Sequence, residues 1–158
     1  MGNSKSKKNI LVIGLSGVGK THFLDILQYQ GDTTKQPTKG YYTCSVLYDT
    51  TFITLIEYGA TTPFNILHEF DAIFMLIRGD YSMEKMLETK SYLLMCCDTL
   101  PEIPLAIIVA GKDEIKLNIL QLAHLKRPIC QIQMDFDNPN SWQKGCSKLF
   151  EWIVTQKK

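Results

Sequence analysis

The sequence has almost no arginine: among its 17 basic residues only Arg78 and Arg127 are not lysine. Sixteen acidic residues nearly balance them, leaving a net charge of +1. A near-neutral chain lacks the field of a general nucleic-acid binder, whose affinity comes from many phosphate contacts. The five cysteines (Cys44, Cys96, Cys97, Cys130, Cys146) form no C-x-x-C pair and no His/Cys cluster. That pattern excludes a zinc site and a disulfide frame, and predicts reduced, mostly buried thiols of a cytoplasmic protein. No apolar run approaches the length of a membrane span. The first eight residues are polar and basic, which predicts no secretory signal. Repeats, linkers and low-complexity stretches are absent as well.

What is present is one glycine-rich stretch, Gly14-Leu15-Ser16-Gly17-Val18-Gly19-Lys20-Thr21. It fits G-x-x-x-x-G-K-[ST], a phosphate-binding loop. Asn9 to Ile13 before it is a short apolar, β-branched run and predicts a buried strand. Thr21 to Gln28 after it is amphipathic at helical spacing. In this setting the backbone N–H groups and the helix N-terminus cradle phosphate, Lys20 adds a point charge, and the Thr21 hydroxyl ligates Mg²⁺.

With 158 residues the chain forms one domain, predicted over 9–158, behind a flexible basic segment 1–8. Met1-Gly2-Asn3-Ser4-Lys5-Ser6 fits M-G-x-x-x-[ST], the pattern for N-myristoylation at Gly2. One acyl chain binds membranes only marginally, so Lys5, Lys7 and Lys8 would supply the second signal. The rest alternates. Helix 1 is expected to run to about Gln30, and Asp32 to Gly40 reads as a polar loop. Tyr41–Tyr48 and Thr51–Glu57 predict a hairpin turning at Asp49-Thr50. Ala72–Ile77, Pro104–Val109 and Pro128–Met134 read as strands. Helices are expected over Ser82–Cys97, with Met83, Met86, Leu87 and Tyr92-Leu93-Leu94 as its apolar positions, over Ile115–Leu125 and over Ser141–Thr155. Continuous apolar strands separated by helices imply an α/β fold with a mostly parallel sheet covered on both faces and one antiparallel edge hairpin.

These features together resemble the Ras-superfamily small GTPases, nearest to the Arf/Arf-like branch. The Met-Gly start resembles Arf-type myristoylation sites. Gly14 to Thr21 resembles the family's G-L-D-x-x-G-K-T, Pro37-Thr38-Lys39-Gly40 matches its P-T-x-G in the first switch, and Trp152-Ile153 resembles its W-L. The intervals from Lys20 to Thr38 and from Thr38 to Glu57 agree with the family's spacing. The resemblance covers essentially the whole chain and implies a P-loop NTPase, small-GTPase-like three-layer sandwich. It implies GTP/GDP and Mg²⁺ as ligands, with Thr21 and Thr38 on the metal. It further implies Arf-type effectors or regulators as partners, and residence at the cytosolic face of a membrane. The first strand is expected to start almost at once, which leaves no room in this sequence for the amphipathic helix that Arf proteins carry before it.

Other departures fall on chemistry. Where the family has D-x-G-G-Q, this chain has Glu57-Tyr58-Gly59-Ala60-Thr61. The resemblance puts the γ-phosphate N–H on Ala60 and leaves Thr61 where a glutamine orients the attacking water. Where the family has N-K-x-D, Gly111-Lys112-Asp113-Glu114 stands. Lys112 can lie along the base, and Glu114 or Asp113 can accept hydrogen bonds from guanine. Asp113 and Glu114 read equally as acidic residues at a helix start. Met134-Asp135-Phe136-Asp137 occupies the place of the family's last base loop.

Two functions compete at this point. One is a membrane-recruited guanine-nucleotide switch with slow or impaired hydrolysis. The other is a pseudo-GTPase interaction module that binds Arf-type partners, with nucleotide structural or absent. A nucleotide kinase needs several cations around the transferred phosphoryl group, and two arginines leave little to build that from. No arginine is expected close to the loop.

Overall fold

The computed structural model describes residues 6–15, 17–28, 35–38, 41–58, 70–100, 102–111, 120–122 and 125–156. Strand β1, Ser6–Ile13, leads into helix α1, Lys20–Gln28. Strands β2 (Lys35–Thr38), β3 (Tyr41–Tyr48) and β4 (Thr51–Tyr58) follow, then β5 (Ala72–Arg78) and helix α2 (Met83–Thr99). Strands β6 (Leu105–Ala110) and β7 (Ile129–Met134) precede the last helix, α3 (Pro139–Thr155).

The seven strands form one sheet in the order β2-β3-β4-β1-β5-β6-β7. From β4 through β7 neighbouring strands run parallel. The β3–β4 hairpin is antiparallel and turns at Asp49, whose φ of 56° an aspartate tolerates. The polar loop expected over Asp32 to Gly40 is in part a strand: Lys35–Thr38 pairs antiparallel with β3 and forms the sheet's edge. An edge strand accepts Pro37, because one side of its ladder is open.

The apolar runs become strands because the sheet is covered twice. Alternate residues of β1, β5 and β6 point to opposite faces. Ile10, Val12, Phe74, Leu76, Ala106 and Ile108 join Phe23, Leu24 and Leu27 of α1 and Trp142, Leu149, Phe150 and Ile153 of α3. Leu11, Ile13, Ile73, Met75, Ile77, Leu105 and Ile107 join Met86, Leu93, Cys96 and Cys97 of α2. Each fully buried large apolar side chain contributes about 1.5–3 kcal/mol, so these two cores hold the sheet between its helices.

Three expectations change. Strand β1 begins at Ser6, so Lys7 and Lys8 belong to the sheet rather than to a flexible arm. The Ser6 hydroxyl meets Thr51 Oγ1 at 2.8 Å, and Lys8 Nζ donates to the Gln156 carbonyl at 3.2 Å. On α2 the inward face is Met86, Thr89, Leu93, Cys96 and Cys97, while Met83, Leu87 and Leu94 are exposed. Within Ile115–Leu125, the described residues 120–122 do not continue an α-helix. Gln121 has φ 52°, and Leu120 and Leu122 are both buried two positions apart, which is not a helical spacing. The rest of that segment up to residue 119 lies outside the described residues, as does the expected helix end at Gln30-Gly31.

Candidate functional site

The site is built at the end of β1. Gly14 leaves the strand where no side chain fits: a Cβ would stand 2.8 Å from Val18 Cγ1 and 2.9 Å from the Leu76 carbonyl oxygen of β5. Gly17 has φ 81°, which L residues with a side chain rarely adopt. The loop closes on itself through Val18 N donating to the Leu15 carbonyl at 3.2 Å. Helix α1 then starts, with Phe23 N donating to the Gly19 carbonyl at 2.8 Å.

Lys20 folds back over this loop. Its Nζ donates to the Gly14 carbonyl at 2.8 Å and to the Leu15 carbonyl at 3.1 Å. Burial lowers its pKa below the ordinary 10.5, and the nearby Glu57 carboxylate opposes that shift. The ammonium is therefore a held, partly desolvated cation at the mouth of a glycine loop.

Thr21 is the next residue, and its hydroxyl donates to Glu57, lying 3.0 Å from both Oε1 and Oε2. Glu57 is one of few charged side chains placed inside, at 8% exposure. Its position follows from the register: β4 lies parallel to β1 with Glu57 opposite Val12, one residue short of the strand end. With its proton given to Glu57, Thr21 Oγ1 keeps lone pairs for a hard cation. Oxygen donors of this kind suit Mg²⁺, which takes few protein ligands and relies on phosphates and water for the rest. Among the described residues no group of three or more His, Cys, Asp or Glu is arranged to hold a metal ion, so Thr21 and Glu57 would hold such an ion only alongside ligand oxygens.

Beside the loop lies a cavity of about 320 Å³. Gly17, Val18, Gly19 and His22 form one wall; Arg78 ends β5 and Asp80 follows it; Ala110 ends β6 and Gly111 follows it; Asp135, Phe136 and Asp137 follow β7. All four contributing strands present their carboxyl ends here. It is also where the chain, having built β2–β4 on one side of β1, crosses to build β5–β7 on the other. Open α/β sheets bind ligands at this kind of switch point.

The walls differ in chemistry. Phe136 packs against Phe23 at 5.8 Å between ring centroids and edge-on to His22 at 5.7 Å, an aromatic face at the loop's side. Asp135 is fixed by a hydrogen bond from Asp137 N to its Oδ1 at 3.0 Å. Gly111 has φ 116°, donates its N–H to the Met134 carbonyl at 2.8 Å, and accepts from Gln133 Nε2 at 3.1 Å. Arg78 makes a two-pronged bond to Asp80, Nε to Oδ1 and Nη2 to Oδ2, each 3.0 Å. Those bonds hold the Asp80 carboxyl below its usual pKa.

Of the expected phosphate-binding residues, Gly14, Leu15, Gly17, Val18, Gly19, Lys20 and Thr21 come together in one loop and helix start. Thr38 lies in β2 opposite Tyr41. Gly2, Ser16, Ala60, Thr61, Lys112, Asp113 and Glu114 lie outside the described residues. One expectation is corrected: an arginine does stand close to the loop, because Arg78 lines the same cavity as Gly17 and Gly19. Arg78, Asp80, His22 and Phe136 were missed as site residues. The signal that points to Arg78 is its place at the carboxyl end of the strand paired with β1.

Neither protein-family models nor curated protein sequences match this chain.

Proposed function

We propose that the chain is a P-loop NTPase of the small-GTPase kind, a membrane-recruited guanine-nucleotide switch of Arf-like type that hydrolyses GTP slowly. The observation that carries the reading is the glycine loop between β1 and α1, with Lys20 folded across it and Thr21 hydrogen-bonded to Glu57. Loop N–H groups and the start of α1 receive phosphate oxygens. The phosphates draw Lys20 off the Gly14 and Leu15 carbonyls or share it with them. Mg²⁺, held by Thr21 with Glu57 behind it, would neutralise charge on the β- and γ-phosphates. The base lies in the cavity against Phe136.

Base reading rests on few groups. The Gly111 backbone is engaged with β7 and its side chain is missing, so guanine preference falls to Lys112 with Glu114 or Asp113. Slow hydrolysis follows from sequence: Thr61 replaces the glutamine that positions water, and Ala60 replaces the glycine donor. Membrane attachment uses myristoyl-Gly2. Its basic partner signal is smaller than three lysines, because Lys8 is engaged with Gln156. About 1 kcal/mol per remaining lysine near an anionic surface is what Lys5 and Lys7 offer.

The test is the nucleotide that co-purifies with the protein, identified after denaturation, followed by competition of ATP and XTP against labelled GTP. Guanine nucleotide should be recovered, and GTP should compete best by a modest margin. Equal affinity for ATP would defeat the base reading. Absence of any nucleotide binding would favour the pseudo-GTPase module.

A further inference from the structure

Arg78 is placed where a ligand's charge arrives. Strand β5 lies parallel to β1 with Met75 opposite Ile13, so three residues later the chain stands level with the glycine loop. The Leu76 carbonyl sits so close to Gly14 that a Cβ there would approach within 2.9 Å. Arg78 and the Gly17–Gly19 wall open onto the same cavity. The second arginine is spent elsewhere: Arg127 donates to the Ile103 carbonyl at 3.2 Å and to the Cys97 carbonyl at 3.5 Å. Arg78 instead holds Asp80, two residues on, through an exposed ion pair with side-chain exposures of 49% and 56%.

An exposed ion pair is weak and screened. A guanidinium bonded in two-pronged fashion to a carboxylate has the geometry that a phosphate also satisfies. Phosphate carries more charge, and in this cavity it is fixed by the loop N–H groups and Lys20 as well. The other carboxylates of the cavity, Asp135 and Asp137, lie at the end of β7. They repel phosphate from that end and leave the Arg78 side to it.

We propose that Arg78 is a second phosphate-binding cation of this pocket, held by Asp80 until a nucleotide phosphate takes that carboxylate's place. This rests on the nucleotide-binding reading above. Asp80 is then an internal competitor, so the two residues act with opposite sign. Isothermal titration of the full chain with GTP and Mg²⁺ tests it. Arg78→Ala should weaken binding about tenfold or more, the scale of one lost charge-assisted contact. Arg78→Lys, which keeps the charge but not the fork, should fall between. Asp80→Asn should bind several-fold tighter than the wild type, on the order of one weakened competitor. The fold-loss in Arg78→Ala should be the same for GTP and XTP. Unchanged affinity in Arg78→Ala, no gain in Asp80→Asn, or a loss confined to GTP, which would put Arg78 on the base, each overturns the proposal alone. A wild type that binds no GTP, or a Lys20→Ala variant that binds it fully, overturns the nucleotide reading and this proposal with it.

Discussion

Replacing Thr21 by valine removes one hydroxyl and keeps the side chain's shape. That hydroxyl donates to Glu57, 3.0 Å from each carboxylate oxygen. A hydrogen bond to a charged acceptor contributes about 1.5–3 kcal/mol net, and the exposure of Thr21 argues for the low end, about 1.5 kcal/mol. Threonine and valine have nearly equal helix propensity, so little else changes. For a domain of this size 1 kcal/mol moves Tm by about 2–4 °C, giving a fall of about 3–6 °C. The second effect is on the metal. If Thr21 Oγ1 ligates Mg²⁺ as proposed, its loss should shrink the Mg²⁺ enhancement of GTP affinity about tenfold or more, as when a partner of a metal ligand is lost. Thermal unfolding of Thr21→Val and wild type, with and without GTP, in Mg²⁺ or in chelator, reads both effects. Wild type should gain stability from GTP only with Mg²⁺, and the variant should lose that dependence. A variant with the wild-type Tm and the full Mg²⁺ effect would refute the assignment of Thr21.

Further outcomes follow from the same geometry. Burial lowers the Lys20 pKa below 10.5, so the folded protein sheds that proton before the unfolded chain does. Its own desolvation cost is thus relieved as pH rises through that window, while GTP affinity, which needs the charged form, should fall over the same range; a flat titration series up to pH 10.5 would contradict this. Gly145→Ala places a Cβ 2.6 Å from Met134 Cγ. Overpacking of about 1–3 kcal/mol outweighs a helix gain of about 1 kcal/mol, so Tm should drop by roughly 2–4 °C; a rise would show that Met134 repacks freely. Burial pushes Cys96 and Cys146 up to about 12, so native protein should react slowly with a thiol reagent at mildly alkaline pH and all five thiols should react once it unfolds; fast labelling of native Cys96 or Cys146 would count against the packing of both cores.

What the sequence makes legible depends on how each element is stabilised. Ala72–Ile77 is apolar at every position because both faces of β5 are covered, and a continuous run says so directly. Lys35–Thr38 could not be seen that way. It is a short polar edge strand, and its pairing with β3 uses backbone groups that leave no mark on residue type. The inward face of α2 is hidden for another reason. Thr89 and the thiols Cys96 and Cys97 are buried while Leu87 and Leu94 are not. The burial of Thr89 is made tolerable by its hydroxyl donating to the Lys85 carbonyl at 2.8 Å.

The same division holds at the site. Gly14 to Thr21 is contiguous, so its spacing is visible in the chain. Glu57 is legible in the sequence only as the carboxylate standing where the family has its Asp; its contact with Thr21 is brought about by strand register. Arg78 stands at the end of β5 and Phe136 and Asp137 follow β7, and the strand order unites them with the loop.

The most direct measurement of the central claim is a titration of wild type and Lys20→Ala with labelled GTP in Mg²⁺. Lys20 Nζ spans the Gly14 and Leu15 carbonyls at the loop's mouth, so wild type should bind and the variant should lose retention altogether. Equal binding by the two proteins would contradict a phosphate-binding role for this loop.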